Sequence, residues 1–144
     1  MRIKKILGTV GLVGNVLNQK SSSKKDAYSC DYINNIVESG SNEKGNWIKF
    51  EDGTMICTQI RSVTANFNAS QGSLYFPGWA YNWKFPQEFI EAPKSVQGTL
   101  DTDEIIGGLT LSGVAYADCK YLMWTATSAE RTLIVRLQAI GRWK

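Results

Sequence analysis

Residues Asn46–Ile60, NWIKFEDGTMICTQI, constrain this chain more than any other stretch: two half-apolar runs of aromatic, β-branched and alternating residues flank Asp52-Gly53. Asp-Gly readily supplies the positive φ angles of a tight turn, so the stretch predicts a β-hairpin. Short apolar-alternating runs then recur at 73–76, 79–85, 95–101, 109–116, 120–127 and 132–143, with Gly, Pro, Asn and Asp between them. No helix-period stretch long enough for a crossover helix follows Gly45. The expected fold is therefore all-β, an antiparallel β-sandwich rather than an α/β domain. In the last run Leu133, Val135, Leu137 and Ala139 alternate with Ile134, Arg136, Gln138 and Ile140. The first set predicts a core face; the isoleucines of the second predict that the Arg136 face is half-buried, by the partner sheet or by another subunit. Proline cannot donate to a ladder, so Pro86 and Pro93 should make 85–93 a corner between sheets, with Phe85, Phe89 and Ile90 pressed into the core.

Before the hairpin the pattern changes. Ile3, Ile6, Val10, Val13 and Leu17 recur at intervals of three and four, the seam of a short coiled coil. Isoleucine at both seam positions leans toward three strands or more. Gly8, Gly11 and Gly14 each cost about 1 kcal/mol relative to alanine, and two heptads are too few to persist alone, so such a helix would form only when docked. The alternative reading is a secretory signal, MRIKK followed by an apolar run. Gly, Thr and Asn interrupt that run, and no small-x-small site precedes NQKSSSKKD. The run is too short for a transmembrane span, so no membrane insertion is expected. Residues 18–26 read as a polar linker, 27–37 as a short helix capped by Ser29 or Asp31 and presenting Tyr32, Ile33, Ile36 and Val37, and 38–46 as a second loop.

Charge separates the same parts. Residues 1–26 carry a net +5 and the remaining 118 a net −2. The slightly acidic body argues against nucleic-acid binding, and the basic arm suits either solvent or an acidic partner surface. The chain contains no histidine, which removes the commonest general base, the commonest metal ligand and every Ser-His or Cys-His nucleophile. Cys30, Cys57 and Cys119 are odd in number and not at metal-like spacing, so neither a disulfide framework nor a zinc site is expected, and synthesis in a reducing cytosol fits. No cofactor is implied.

The order YSCDYIN, GSNEKGNWIKFEDGTMIC, WKFPQEFIEAPKSV and the closing IVRLQAIGRWK resembles the C-terminal part of bacteriophage and prophage tail-fibre or receptor-binding proteins, particularly those of Gram-positive hosts. The resemblance covers residues 27–144; the FPQEF segment is also similar to H-type lectin sandwiches. It implies a small β-sandwich head, usually homotrimeric, in a virion tail or tail-like particle made in the bacterial host cytoplasm. Such a head binds a host cell-wall polysaccharide or teichoic acid without catalysis, while the arm would contact a tail or baseplate protein. The chain then divides into an attachment and trimerisation arm with linker (1–26), a short helix and collar (27–45) and the head (46–144). It is short for a fibre, with no shaft or repeats. The competing reading is a fibre-tip or capping subunit that contacts only other particle proteins.

Sugar recognition needs flat apolar faces for ring C–H groups and fixed polar groups for hydroxyls. Trp79, Tyr81 and Trp83, spaced by two, form one candidate platform; Tyr121 and Trp124 near Asp118 and Arg131 form another. Asp101 and Asp103 are polar loop candidates. With Glu104 they would also serve paired-carboxylate hydrolysis, but DTDE followed by Ile-Ile-Gly-Gly reads as a solvated turn, and no EF-type loop surrounds these carboxylates for Ca²⁺.

Overall fold

The structure is a computed structural model that describes residues 36–101 and 106–144. The coiled-coil seam, the linker and the helix expected from residue 27 lie outside these residues up to position 35. Ten strands and no helix form among the described residues: β1 Ile36–Asn42, β2 Gly45–Phe50, β3 Thr54–Asn66, β4 Ala69–Gln71, β5 Leu74–Phe76, β6 Tyr81–Lys84, β7 Ser95–Asp101, β8 Gly107–Ser112, β9 Asp118–Thr125 and β10 Glu130–Arg142. One sheet runs β1-β2-β3-β10-β7; the other runs β4-β5-β9-β6, with β8 along the opposite edge of β9. The ladders joining β2, β3, β10 and β7, and those of the second sheet, are antiparallel.

The central hairpin forms, with a difference at its tip. The loop holds three residues, Glu51–Gly53, rather than Asp-Gly alone: the Gly53 N–H donates to Phe50 O at 3.0 Å, and Gly53 alone among the loop's residues is a positive-φ glycine, at φ 90°. This is the turn-plus-left-handed-residue arrangement of three-residue hairpins. Asp52 braces it by accepting from the Thr54 N–H and hydroxyl, bonds that hold its carboxyl below the usual range. The preceding segment departs further from expectation. Ile36 and Val37 belong to a strand, not a helix, and most of the expected loop 38–46 is β1, a turn at Glu43-Lys44 and the start of β2. Glu38 accepts from Trp47 Nε1 and Lys49 Nζ, both at 2.9 Å, and thereby ties β1 to β2.

The core lies between the sheets. Met55, Cys57, Val63 and Ala65 of β3 and Leu133, Val135, Leu137 and Ala139 of β10 face Trp83, Cys119, Tyr121 and Met123 across it. Period-two alternation places them there, since successive strand side chains point to opposite faces. The corner segment seals one end: Phe85 and Phe89 are buried in a chain of edge-to-face contacts with Trp83, at centroid distances of 4.9 and 5.1 Å. Ile90, by contrast, is 62% exposed. Its N–H is held by Arg142 O, which turns the backbone so that Phe89 alone enters the core. On the outer face of the first sheet Gln138 and Ile140 are half-buried, whereas Arg136 is exposed and pairs with Asp101 at 3.0 Å. Ile60, at 71%, and Ile134 are exposed beside it.

Candidate functional site

The second sheet has one irregular edge, and it carries the candidate site. Tyr75 lies opposite Thr125 and Tyr81 opposite Tyr121, so the five residues Phe76–Ala80 span the same length as the three residues Leu122–Trp124. The surplus bulges outward, and Gly78 permits it with φ 79° and open space where a Cβ would sit. Trp79, at the crest, is 62% exposed. Below it lies an open cleft of about 410 Å³ whose walls include Phe76, Trp79, Ala80 and Leu122, with Ser70 and Gln71 of β4 at the rim. A flat indole beside a hydroxyl and an amide offers both contacts a sugar ring uses: apolar area for C–H groups, and donors and acceptors for hydroxyls.

The other residues expected at the site are dispersed by strand geometry. Trp83 is 1% exposed; its ring packs edge-on against Phe85 and its Nε1 donates to Lys44 O at 3.1 Å. It is a core residue with no open face. Tyr81 is half-buried between the two environments, its ring 6.4 Å from Trp79 and stacked at 5.5 Å on Tyr121. Tyr121 and Trp124 stand three apart on β9, so they point to opposite faces. Tyr121 is fully buried, and Trp124 lies on the outer face over Gly108, where a Cβ would meet the indole at 2.5 Å. Asp118 accepts from Asn82 at the far end of β9, Arg131 donates to the Thr127 hydroxyl at 2.9 Å, and Asp101 is engaged by Arg136 in the other sheet. Asp103 and Glu104 lie outside the described residues. Phe76, Leu122, Ser70 and Gln71 complete the cleft. Their signal in the sequence was Pro77-Gly78 interrupting an aromatic run, which marks a bulge as well as it marks a turn.

The two described cysteines are not activated as nucleophiles. Burial pushes the Cys57 and Cys119 thiols up to about 11, so both are protonated at neutral pH. No three His, Cys, Asp or Glu side chains stand together to hold a metal ion among the described residues.

The sequence matches no known family model and no curated protein. The fold is similar to solved structures. One is the Pseudomonas aeruginosa R1 pyocin fibre comprising C-terminal residues 323–701, with a TM-score of 0.52 and 17% identity over 83% of this chain and 32% of that one. Another is an N-truncated R1-type pyocin tail fibre, again at TM-score 0.52 and 17% identity, with 83% of this chain and 98% of that one covered. At this identity the likeness is one of fold: it agrees with the expected resemblance to tail-fibre C-terminal parts and bears neither on Gram-positive hosts nor on H-type lectins.

Proposed function

We propose that this chain is a tail-fibre-type component of a phage tail or phage-like tail particle, and that it binds a host-surface glycan at the Trp79 cleft without catalysis. The observation that carries the reading is the bulge: it holds a tryptophan in solvent beside a polar-rimmed cleft, an arrangement that packing alone does not require. The likeness in fold to pyocin tail fibres supports the setting. In this reading the apolar seam Ile3, Ile6, Val10, Val13 and Leu17 joins three copies, and the arm grips a tail or baseplate protein.

Incubation of the full chain with candidate bacteria and wall polysaccharides tests the proposal. Binding should be saturable, should leave no new reducing ends, and should fall in Trp79→Ala while the fold persists. Binding that is indifferent to Trp79 removes the cleft from the reading, and a monomer in sedimentation at micromolar concentration removes the trimer.

A second reading has its own observation. Ile48, Ile56 and Ile140 stand side by side across β2, β3 and β10 on the outer face of the first sheet, near exposed Ile60 and Ile134. Such a face suits contact with other particle proteins, as a tip or capping subunit would make. Loss of particle assembly in Ile60→Lys, with cell binding by the isolated chain unchanged, favours that role for the face.

A further inference from the structure

Charge is spread unevenly along this chain. From Ser62 to Trp83 no residue is charged, and none is from Ile106 to Ala117 or from Tyr121 to Ala129, although Asp, Glu, Lys and Arg make up 20% of the sequence. These stretches supply β4, β5, β8, most of β6 and the larger part of β9, which is nearly the whole second sheet. The Trp79 cleft is cut into that sheet, and among the described residues no titratable side chain lines it. Its polar groups are the Ser70 hydroxyl and the Gln71 amide; its apolar walls include Phe76, Trp79 and Leu122. Leu122 points outward between the buried Tyr121 and Met123, and across the ladder it faces Thr110, again uncharged. The next charged side chain on that face of β9 is Lys120, exposed and about 7 Å further along by two strand rises.

That composition sorts ligands. A carboxylate or phosphate seated in the cleft would give up water against Phe76 and Leu122 and meet no cation in return, the loss that keeps lone charges out of apolar sites. The indole adds to it, since its face is the negative side of the ring quadrupole: it draws in the C–H groups of a sugar and turns an anion away. At longer range the net −2 of residues 27–144 opposes a polyanion as well. Neutral hydroxyls meet no such penalty, because Ser70 and Gln71 offer both donors and acceptors. An uncharged face would also admit a protein partner, but a concavity of about 410 Å³ has the size of a small-molecule site and favours a sugar.

We propose that the Trp79 cleft selects uncharged sugar units, so that of the two polymer classes expected from the sequence it serves a neutral polysaccharide and excludes teichoic acids and acidic sugars. The inference rests on the reading of this cleft as a glycan site and adds the charge of the ligand: recognition is by indole stacking and neutral hydrogen bonds, with no ion pair.

A glycan array carrying neutral, carboxylated and phosphorylated oligosaccharides, probed with the full chain and with Trp79→Ala, tests it. Signal that depends on Trp79 should fall on neutral glycans. Calorimetry with the strongest neutral glycan should give an affinity that changes by less than about twofold between about 0.05 and about 0.5 M salt, because no charge contact is there to be screened. An oligogalacturonate and a glycerol-phosphate oligomer should bind at least about tenfold more weakly. Gln71→Lys, which sets a cation at the rim, should raise the affinity of those two by a few-fold, the scale of one exposed charge pair. If Trp79→Ala fails to fold, Gln71→Ala serves instead and should weaken neutral binding by about fivefold, the scale of one neutral hydrogen bond. An anionic glycan bound through Trp79 as tightly as the neutral one, or neutral binding that falls steeply with salt, overturns the selectivity and leaves the glycan reading standing. No binding on the array that depends on Trp79 or Gln71 overturns both.

Discussion

Two tryptophans four residues apart divide the labour of this domain. Trp83 fills the core and bonds to the backbone of the β1–β2 turn, whereas Trp79 touches little besides Tyr81 and solvent. Trp83→Ala should therefore cost about 3–5 kcal/mol, as large-to-small changes at buried aromatics do. Trp79→Ala should stay within about 0.5 kcal/mol of the native stability and lose the proposed glycan binding instead. Chemical denaturation of the two variants, paired with a binding assay, separates these outcomes. The buried thiols give an independent check at the same scale. With both pushed up to about 11, Cys57 and Cys119 should resist iodoacetamide at neutral pH in the folded chain and react once guanidinium unfolds it. Peptide mass mapping reads each site; rapid native labelling of either would contradict its placement.

At the scale of elements, the bulge between β5 and β6 is the feature that gives this edge its exposed tryptophan and its cleft. Five residues oppose three, so removing Pro77 and Gly78 restores an even count. The deletion should leave a cooperatively folding domain with a regular edge and no cleft, hence no binding; thermal unfolding and a cell-binding assay measure both. The β1–β2 pair makes a prediction in pH. The Lys49 and Trp47 bonds to Glu38 hold its folded pKa below the ordinary 4.5, and the Thr54 bonds hold Asp52 below 3.8. Both groups therefore contribute stability that is full above those values and lost as pH falls through the lowered folded ones. A melting temperature followed from neutral pH downwards should drop there, with a smaller drop in Glu38→Gln. These same elements show what could be read from sequence. The hairpin, β7 and β10 were legible because alternation and β-branched residues agree with their burial. β1 was not: IVESGSN has weak strand preference and is held by Glu38 reaching its neighbour, a tertiary contact. Nor was the cleft, because spacing by two places Trp79, Tyr81 and Trp83 on one face only if the strand is unbroken, and Pro77-Gly78 breaks its register.

For the molecule as a whole, the closing segment and the central hairpin act as one unit. The Trp143 N–H donates to Gly53 O, its indole N–H donates to Phe50 O at 2.9 Å, and Lys49 and Lys144 lie over its ring. Trp143→Ala should destabilise the domain by about 1–3 kcal/mol, the range for losing a half-buried side chain with a hydrogen bond; a shift in the denaturant midpoint would show it. β10 has a larger part, since it is the strand through which β3 and β7 are joined. Because β10 is made after both neighbours, a ribosome must deliver residues 130–142 before the first sheet has a centre. Until then β7 stays apart from the β1-β2-β3 part of its sheet, although the strands of the second sheet can already pair, so completion of the first sheet waits on β10.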